Sequence, residues 1–360
     1  VLATLSALSE LGVNIKKNKN LWEVRGNGLG SLKSPDKVLN LGNSGTGVRL
    51  LMGLVSGCDI TVTFTGDESL NTRPMKRVLI PLEQSGAEIL SNDNKLPITI
   101  KGNKIPIPIT YSSSLSSAQV KSCILLNGLT STGNTSYSEK VKSRDHTEKM
   151  LHFMGAEINS KSLNDGTNKI ELKGLPYLKG KHFNIPNDPS SAAFPSAAAL
   201  ITPDSEIKIK NVGINKTRKA FLDCLLDMNA NIDLTNIRQL GNEEVADLVV
   251  KSSDLLPAKI TEDIVPNLID ELPLFFLIAS LIEGESEFNG LSELKHKESD
   301  RLSIMINNLQ KLDVEVQLNE DCLKIIGKKD RIFSDEVFDS HGDHRIAMTM
   351  LVAGLRSTEG

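Results

Sequence analysis

One short pattern recurs along this chain and limits what the chain can become: an amphipathic stretch that stops on a turn-prone residue and runs straight into an alternating strand. It reads LSELGVNI (Leu8 to Ile15), LEQSGAEI (Leu82 to Ile89) and LHFMGAEI (Leu151 to Ile158), then more loosely LLDMNANI (Leu225 to Ile232) and LQKLDVEV (Leu309 to Val316). The stop residues are Gly12, Gly86, Gly155, Asn229 and Asp313. Gly, Asn and Asp enter the left-handed conformation that ends a helix more easily than other residues. A spacing of roughly 70 to 85 residues is too long for a solenoid repeat and suits a compact α/β subdomain.

A second series interleaves with the first. Val48 to Val55, Ala118 to Leu129, Ala192 to Ile201, Leu272 to Ile282 and Ile346 to Leu355 are apolar nearly all round, which predicts helices buried inside a domain. The first four lead through a polar turn into a strand, as at Ile60 to Thr65 and Ile207 to Val212. The unit reads strand, helix, strand, helix, with further strands between. That is a mixed α/β chain.

Each predicted buried helix opens on polar residues: Asn43 to Gly47, Ser116 to Gln119, Asp188 to Ser191, Asp270-Glu271 and Gly342 to Arg345. A helix N-terminus offers free N–H groups and the positive end of its dipole, so several together would form an anion site without a metal. N-capping is the plainer reading, and it accounts for Asp188 and Ser190. It accounts poorly for Arg49 and Arg345, since the dipole disfavours cations there. The Gly45–Gly47 loop lacks the terminal Gly-Lys-Ser/Thr of a nucleotide-binding P-loop, and Gly26 to Gly30 reads as a turn. Lys297 and Arg301, four apart, would share a helix face with Glu298 beside them, although a solvated charged face is the default for such spacing. His341 and His344 have no third ligand cluster to complete a metal site.

With 360 residues, two domains are the natural expectation. The net charge of -4 argues against a dedicated nucleic-acid binder. Cys58, Cys123, Cys224 and Cys322 are scattered, as buried thiols in a reducing compartment would be. The longest strongly apolar run, Leu272 to Ile282, is too short to span a bilayer, and no leader-like segment opens the sequence. A cytoplasmic location is expected.

Taken together, the motifs resemble the enolpyruvyl transferase family, and within it the 5-enolpyruvylshikimate-3-phosphate synthase branch. LGNSGTGVRLLMGL (Leu41 to Leu54) is similar to that family's first signature and GDESLNTRPM (Gly66 to Met75) to its arginine loop. SSAQVKSCILL, SRDHTEKML, DPSSAAFPSAAAL, IDELP, ELKHKESDRL and GDHRIAM follow in the family's order over essentially the whole chain. The resemblance implies an inside-out α/β barrel fold of two domains, 1–185 and 186–360, each from three βαβαββ-type units around buried helices, with the active site in the cleft between. Six helix stops are implied and five are present, and the sixth would fall past Gly360; both ends look cut, because the sequence opens at Val1 directly in a helical pattern and closes in a turn-like run after an apolar helix.

The implied reaction moves the enolpyruvyl group of phosphoenolpyruvate to shikimate 3-phosphate and releases phosphate, in a monomer with no cofactor, metal, nucleic acid or membrane. Gly45, Arg73, Gln119, Arg301 and Arg345 would contact phosphoenolpyruvate. Ser117, Ala118, Gln119, Asp270 and Lys297 would hold shikimate 3-phosphate. Asp270 and Glu298 would move protons, and Asn43, Arg49 and Arg144 are further candidates. A glycine at position 45 implies sensitivity to glyphosate. Competing readings are UDP-N-acetylglucosamine enolpyruvyl transferase, whose reactive cysteine is missing from Gly66 to Met75, a non-catalytic ligand-binding fragment, and a nucleic-acid-processing relative. The family's N-terminal Pro-Gly-Asp-Lys-Ser stretch is not in the sequence, so the chain as written is expected to be inactive or impaired. Turnover equal to that of a full-length relative would contradict this.

Overall fold

All five stop residues adopt positive φ: Gly12 at 89°, Gly86 at 95°, Gly155 at 104°, Asn229 at 67° and Asp313 at 55°. In a computed structural model, which describes residues 1–334 and 336–358, the chain divides into two compact units, Val1–Lys181 and His182–Gly360.

The first unit opens with α1 (Leu2–Glu10) and the hairpin β1 (Asn14–Asn18) and β2 (Leu21–Arg25). It continues with β3 (Leu39–Asn40), α2 (Gly45–Ser56), β4 (Thr61–Thr65), α3 (Glu68–Thr72), α4 (Lys76–Gln84), β5 (Glu88–Asn92) and β6 (Lys95–Lys101). β7 (Thr110–Ser112), α5 (Ala118–Gly128), β8 (Asn134–Glu139), α6 (His146–Met154), β9 (Ile158–Ser162) and β10 (Asn168–Lys173) complete it. The second unit runs α7 (Pro189–Ile201), β11 (Glu206–Gly213), α8 (Ala220–Asp227), β12 (Ile232–Leu240) and β13 (Glu243–Lys251). β14 (Lys259–Ile260), α9 (Val265–Leu268), α10 (Leu272–Ser280), β15 (Gly284–Asn289), α11 (Arg301–Lys311), β16 (Glu315–Asn319), β17 (Cys322–Gly327) and α12 (His344–Ala353) follow.

One sheet plan recurs. Each helix stop leads into an antiparallel hairpin, and after the stops at Gly86, Gly155, Asn229 and Asp313 the second strand pairs antiparallel with the strand leaving the buried helix. Three sheets add a short parallel strand at the far edge, giving the orders β3-β4-β6-β5, β7-β8-β10-β9 and β14-β15-β17-β16. In the β11-β13-β12 sheet a single parallel bridge, Asn187 to Val212, takes that place. Among the described residues, β1 and β2 pair only with each other.

The expected barrel is not formed, because among the described residues none of the five sheets closes on itself. The parallel edge strands are two or three residues long, too short to carry pairing on to another sheet. Each sheet therefore stays open. α10 is buried at all nine positions, as an all-round apolar helix must be. Each of its large side chains contributes roughly 1.5–3 kcal/mol by leaving water. No described helix is long and apolar enough to cross a membrane.

The C-terminal ends of the buried helices are closed by a device the sequence analysis passed over. The residue just past the returning strand donates its N–H to a carbonyl at the end of the buried helix. Asn103 donates to Ser56, Leu175 to Leu129, Ser253 to Leu200 and Lys328 to Ser280, at 2.9 to 3.3 Å. Helix-end carbonyls lack intrahelical partners, and this contact supplies one. It needs the strand end very close. A Cβ on Gly102 would lie 2.2 Å from the Cys58 carbonyl oxygen, on Gly174 2.0 Å from that of Ser131, and on Gly327 2.1 Å from that of Ala279. At Gly26, which follows β2, a Cβ would meet nothing within 4 Å.

Alanine at Gly102, Gly174 or Gly327 should therefore lower stability by about 1–3 kcal/mol, the usual range for overpacking. Alanine at Gly26 should stay within about 0.5 kcal/mol of the parent. Urea unfolding of the four variants tests this, and equal losses at all four positions would contradict the packing argument.

Candidate active site

The candidate residues fall into two sets, one in each unit. In the first unit they gather at the N-termini of α2 and α5. Ser44 caps α2, accepting the Gly47 N–H at 3.2 Å. One turn in, Arg49 donates to the Gly45 carbonyl (3.2 Å), to Gln119 Oε1 (2.8 Å) and to the Pro74 carbonyl (3.4 Å). Gln119 in turn donates to Thr46 Oγ1 at 2.7 Å, so the first turns of the two helices are tied together. Arg73, which ends α3, donates to Asn43 Oδ1 at 2.6 Å and to Ser69 Oγ at 3.3 Å. Asn43 is itself set by donating to Asp67, the N-cap of α3.

Gly45 lets both guanidinium groups approach the backbone. A Cβ there would lie 3.0 Å from Nη1 of Arg73 and 3.1 Å from Nη1 of Arg49. Two planar cations and a helix N-terminus thus meet at one glycine, a setting that suits phosphate or carboxylate. Ser117 caps α5 in an extended conformation, with Ala118 as the first helical residue. Arg144 lies half-buried in the loop between β8 and α6.

In the second unit Arg301 is the centre. Its side chain is 1% exposed and bonds three carboxylates: Asp343 at 2.8 Å, Glu298 at 2.5 Å and Asp270 at 3.3 Å. Burial alone would raise the Asp343 carboxyl, but the Arg301 bond and charge outweigh it. With help from the Arg345 N–H and Ser299, they hold it below the ordinary carboxylate range. Burial depresses the Lys297 ammonium, with the Asp270 carboxylate acting against it. Glu271 is pushed up, first by burial and then by the Asp270 charge. Arg345 stands 4.0 Å from Glu271, with its guanidinium 5.9 Å from the centre of the Phe194 ring.

The family model for EPSP synthase (3-phosphoshikimate 1-carboxyvinyltransferase) matches residues 1–360. A 3-phosphoshikimate 1-carboxyvinyltransferase of Magnetococcus marinus is 45% identical, over all of this chain and 80% of that protein. One from Zymomonas mobilis is 44% identical, over 100% and 81%. A solved EPSP synthase from Acinetobacter baumannii superposes with a TM-score of 0.85 at 39% identity, covering 99% of this chain and 81% of that one. This chain belongs to the EPSP synthase family.

The structure of this EPSP synthase family member corrects one local expectation. Lys297 and Arg301 do not share a helix face. Asp300 caps α11 through the Ser303 N–H, so the helix begins at Arg301, while Lys297 and Glu298 lie in the turn after the 3-10 segment Ser292–His296. Other residues escaped the sequence reading. Asp343 is fully buried, and it anchors Arg301 while capping α12 through the Arg345 N–H. Its place between two histidines hid it. Arg218 carries no motif signal, yet it donates to Asp188 at 2.8 Å and to Ser190 at 2.7 Å. Lys121, entirely buried with Glu139 and Glu148, sat unnoticed inside an otherwise apolar helix.

Asp343→Asn should cost about 3–5 kcal/mol, because it takes a charge from a buried pair. The depressed Asp343 carboxyl stabilises the fold fully above its unfolded pKa, near 3.9, and that part is lost as pH falls through its folded value. Urea unfolding from pH 7 down to pH 3 should show a shallower acid-side loss in the variant than in the parent. Identical slopes would remove Asp343 from the balance.

Proposed function

We propose that the two residue sets described above serve the family's reaction. The reaction is that of a 3-phosphoshikimate 1-carboxyvinyltransferase: it transfers the enolpyruvyl group of phosphoenolpyruvate to the 5-hydroxyl of shikimate 3-phosphate and releases phosphate. The observation that carries the reading is the convergence of Asp270 and Glu298 on the buried guanidinium of Arg301, with Lys297 in the same electrostatic field.

The chemistry needs a base and an acid in turn. The hydroxyl adds to the central carbon of phosphoenolpyruvate as its methylene takes up a proton. The tetrahedral adduct then loses phosphate, and the methyl group returns a proton to restore the double bond. Asp270 is assigned the hydroxyl proton and Glu298 the exchange at the methylene. Arg301 orients both carboxylates. Its bond to Glu298 lies on the more exposed side, where the Glu298 side chain is 28% exposed against 0% for Asp343. An incoming anion would compete for that bond first, placing its charge on Arg301 and releasing Glu298 for proton transfer.

Arg73 and Gly45 are assigned to phosphoenolpyruvate with Arg345 and Gln119. Planar arginines match its phosphate and carboxylate bidentately. Ser117, Ala118, Gln119, Asp270 and Lys297 are assigned to shikimate 3-phosphate, Arg144 to its phosphate, and Asn43 and Arg49 to positioning. Gly45 also accounts for the proposed glyphosate sensitivity, since a side chain there would press on Arg73 and Arg49. Domains at 1–185 and 186–360 are proposed as the functional halves. A cytoplasmic location is proposed from the four free cysteines.

Phosphate release from phosphoenolpyruvate should require shikimate 3-phosphate and fail with UDP-N-acetylglucosamine. Glu298→Gln and Asp270→Asn should each lower kcat by about 10²–10⁴-fold, the usual contribution of a positioned acid or base. Glu298→Gln alone should also stop deuterium entering the methylene from heavy water. Release with the nucleotide sugar, or undiminished exchange in Glu298→Gln, would overturn the assignment.

A further inference from the structure

The loop between β8 and α6 carries Arg144, and the residue before it is tied down by buried charge on every polar atom. The Ser143 N–H and Oγ–H both donate to Glu139, at 2.9 and 2.6 Å. The Ser143 carbonyl accepts from Lys121 Nζ at 3.1 Å. Lys121 also pairs with Glu139 at 3.1 Å and with Glu148 at 2.8 Å. These side chains are 0%, 0% and 9% exposed, so none is available to a ligand. They join α5, the end of β8 and α6. Two more bonds brace the surroundings: the Val141 N–H donates at 3.1 Å to Oγ of Ser116, which lies just ahead of α5, and Ser122 Oγ of α5 meets Thr147 Oγ1 of α6 at 2.7 Å.

Buried ion clusters are a poor source of stability, and a well-packed apolar side chain would serve α5 as well or better. What a lysine adds is direction: fixed-length bonds aimed at one loop residue from inside the unit. We propose that Lys121 is a positioning residue, which with Glu139 and Glu148 clamps Ser143 so that the neighbouring Arg144 is held in place to bind the phosphate of shikimate 3-phosphate. The proposal rests on the reading of Arg144 given above. Lys121 touches no substrate. It acts by removing the freedom of the arginine that does.

The test is a double-mutant cycle on shikimate 3-phosphate binding, measured by calorimetry. Arg144→Ala alone should weaken binding, and Lys121→Met should weaken it up to about tenfold, the cost of ordering one long side chain on binding. Lys121→Met combined with Arg144→Ala should bind no more weakly than Arg144→Ala alone, because the clamp has nothing left to position. Ser143→Gly leaves the buried charges in place but removes the Oγ bond to Glu139 and frees the backbone, so it should also weaken binding, to a smaller extent and only while Arg144 is present, and it carries the test if Lys121→Met fails to fold. Parent-like binding in Ser143→Gly beside a weakened Arg144→Ala, or losses that simply add, would overturn the clamp. Unchanged binding in Arg144→Ala would instead overturn the phosphate role of Arg144, and the proposal with it.

Discussion

A helix that is apolar on every side can meet polar groups only at its two ends, and this constraint organises both units. Inside a protein the end groups of the backbone must still be satisfied. At the C-terminal ends the answer is structural: a returning strand donates an N–H, and glycine at three of the four crossings permits the approach. At the N-terminal ends the answer is chemical. Ser44, Ser117, Asp188 and Asp343 cap four of the buried helices, and the candidate site residues cluster around those caps.

The two sets handle charge differently. In the first unit Arg49 and Arg73 are oriented by amide, hydroxyl and carbonyl oxygens beside Gly45. In the second, Arg301 is surrounded by carboxylates of graded burial, from fully enclosed Asp343 to partly open Glu298. The gradation matters. The enclosed partner fixes the guanidinium, while the partly open partners keep some contact with solvent.

Much of the site was legible in the chain because its residues sit in contiguous runs at helix starts, where composition changes abruptly from polar to apolar. Gly45, Ser117, Gln119, Asp270 and Arg345 stand in such runs, whereas Arg73 was named from the resemblance and Glu298 from the charged run ahead of α11. Residues that act from a distance could not. Arg218 reaches across to Asp188 and Ser190, and Lys121 pairs with carboxylates on two other elements, so neither has a local signature. The barrel expectation came from the resemblance, and it failed because whether sheets close depends on edge pairing between distant segments, which motif order does not encode.

By itself the sequence determined the periodic plan. It set where helices stop, because backbone preference at Gly, Asn and Asp is local, and which helices are buried, because an all-round apolar face is visible in composition. The tertiary structure decided the glycine crossings at Gly102, Gly174 and Gly327, the three carboxylates on Arg301 and the clamp on Ser143. Each of these depends on atoms from remote segments arriving within about 3 Å of one another, the range of a hydrogen bond, and only the folded chain brings them there.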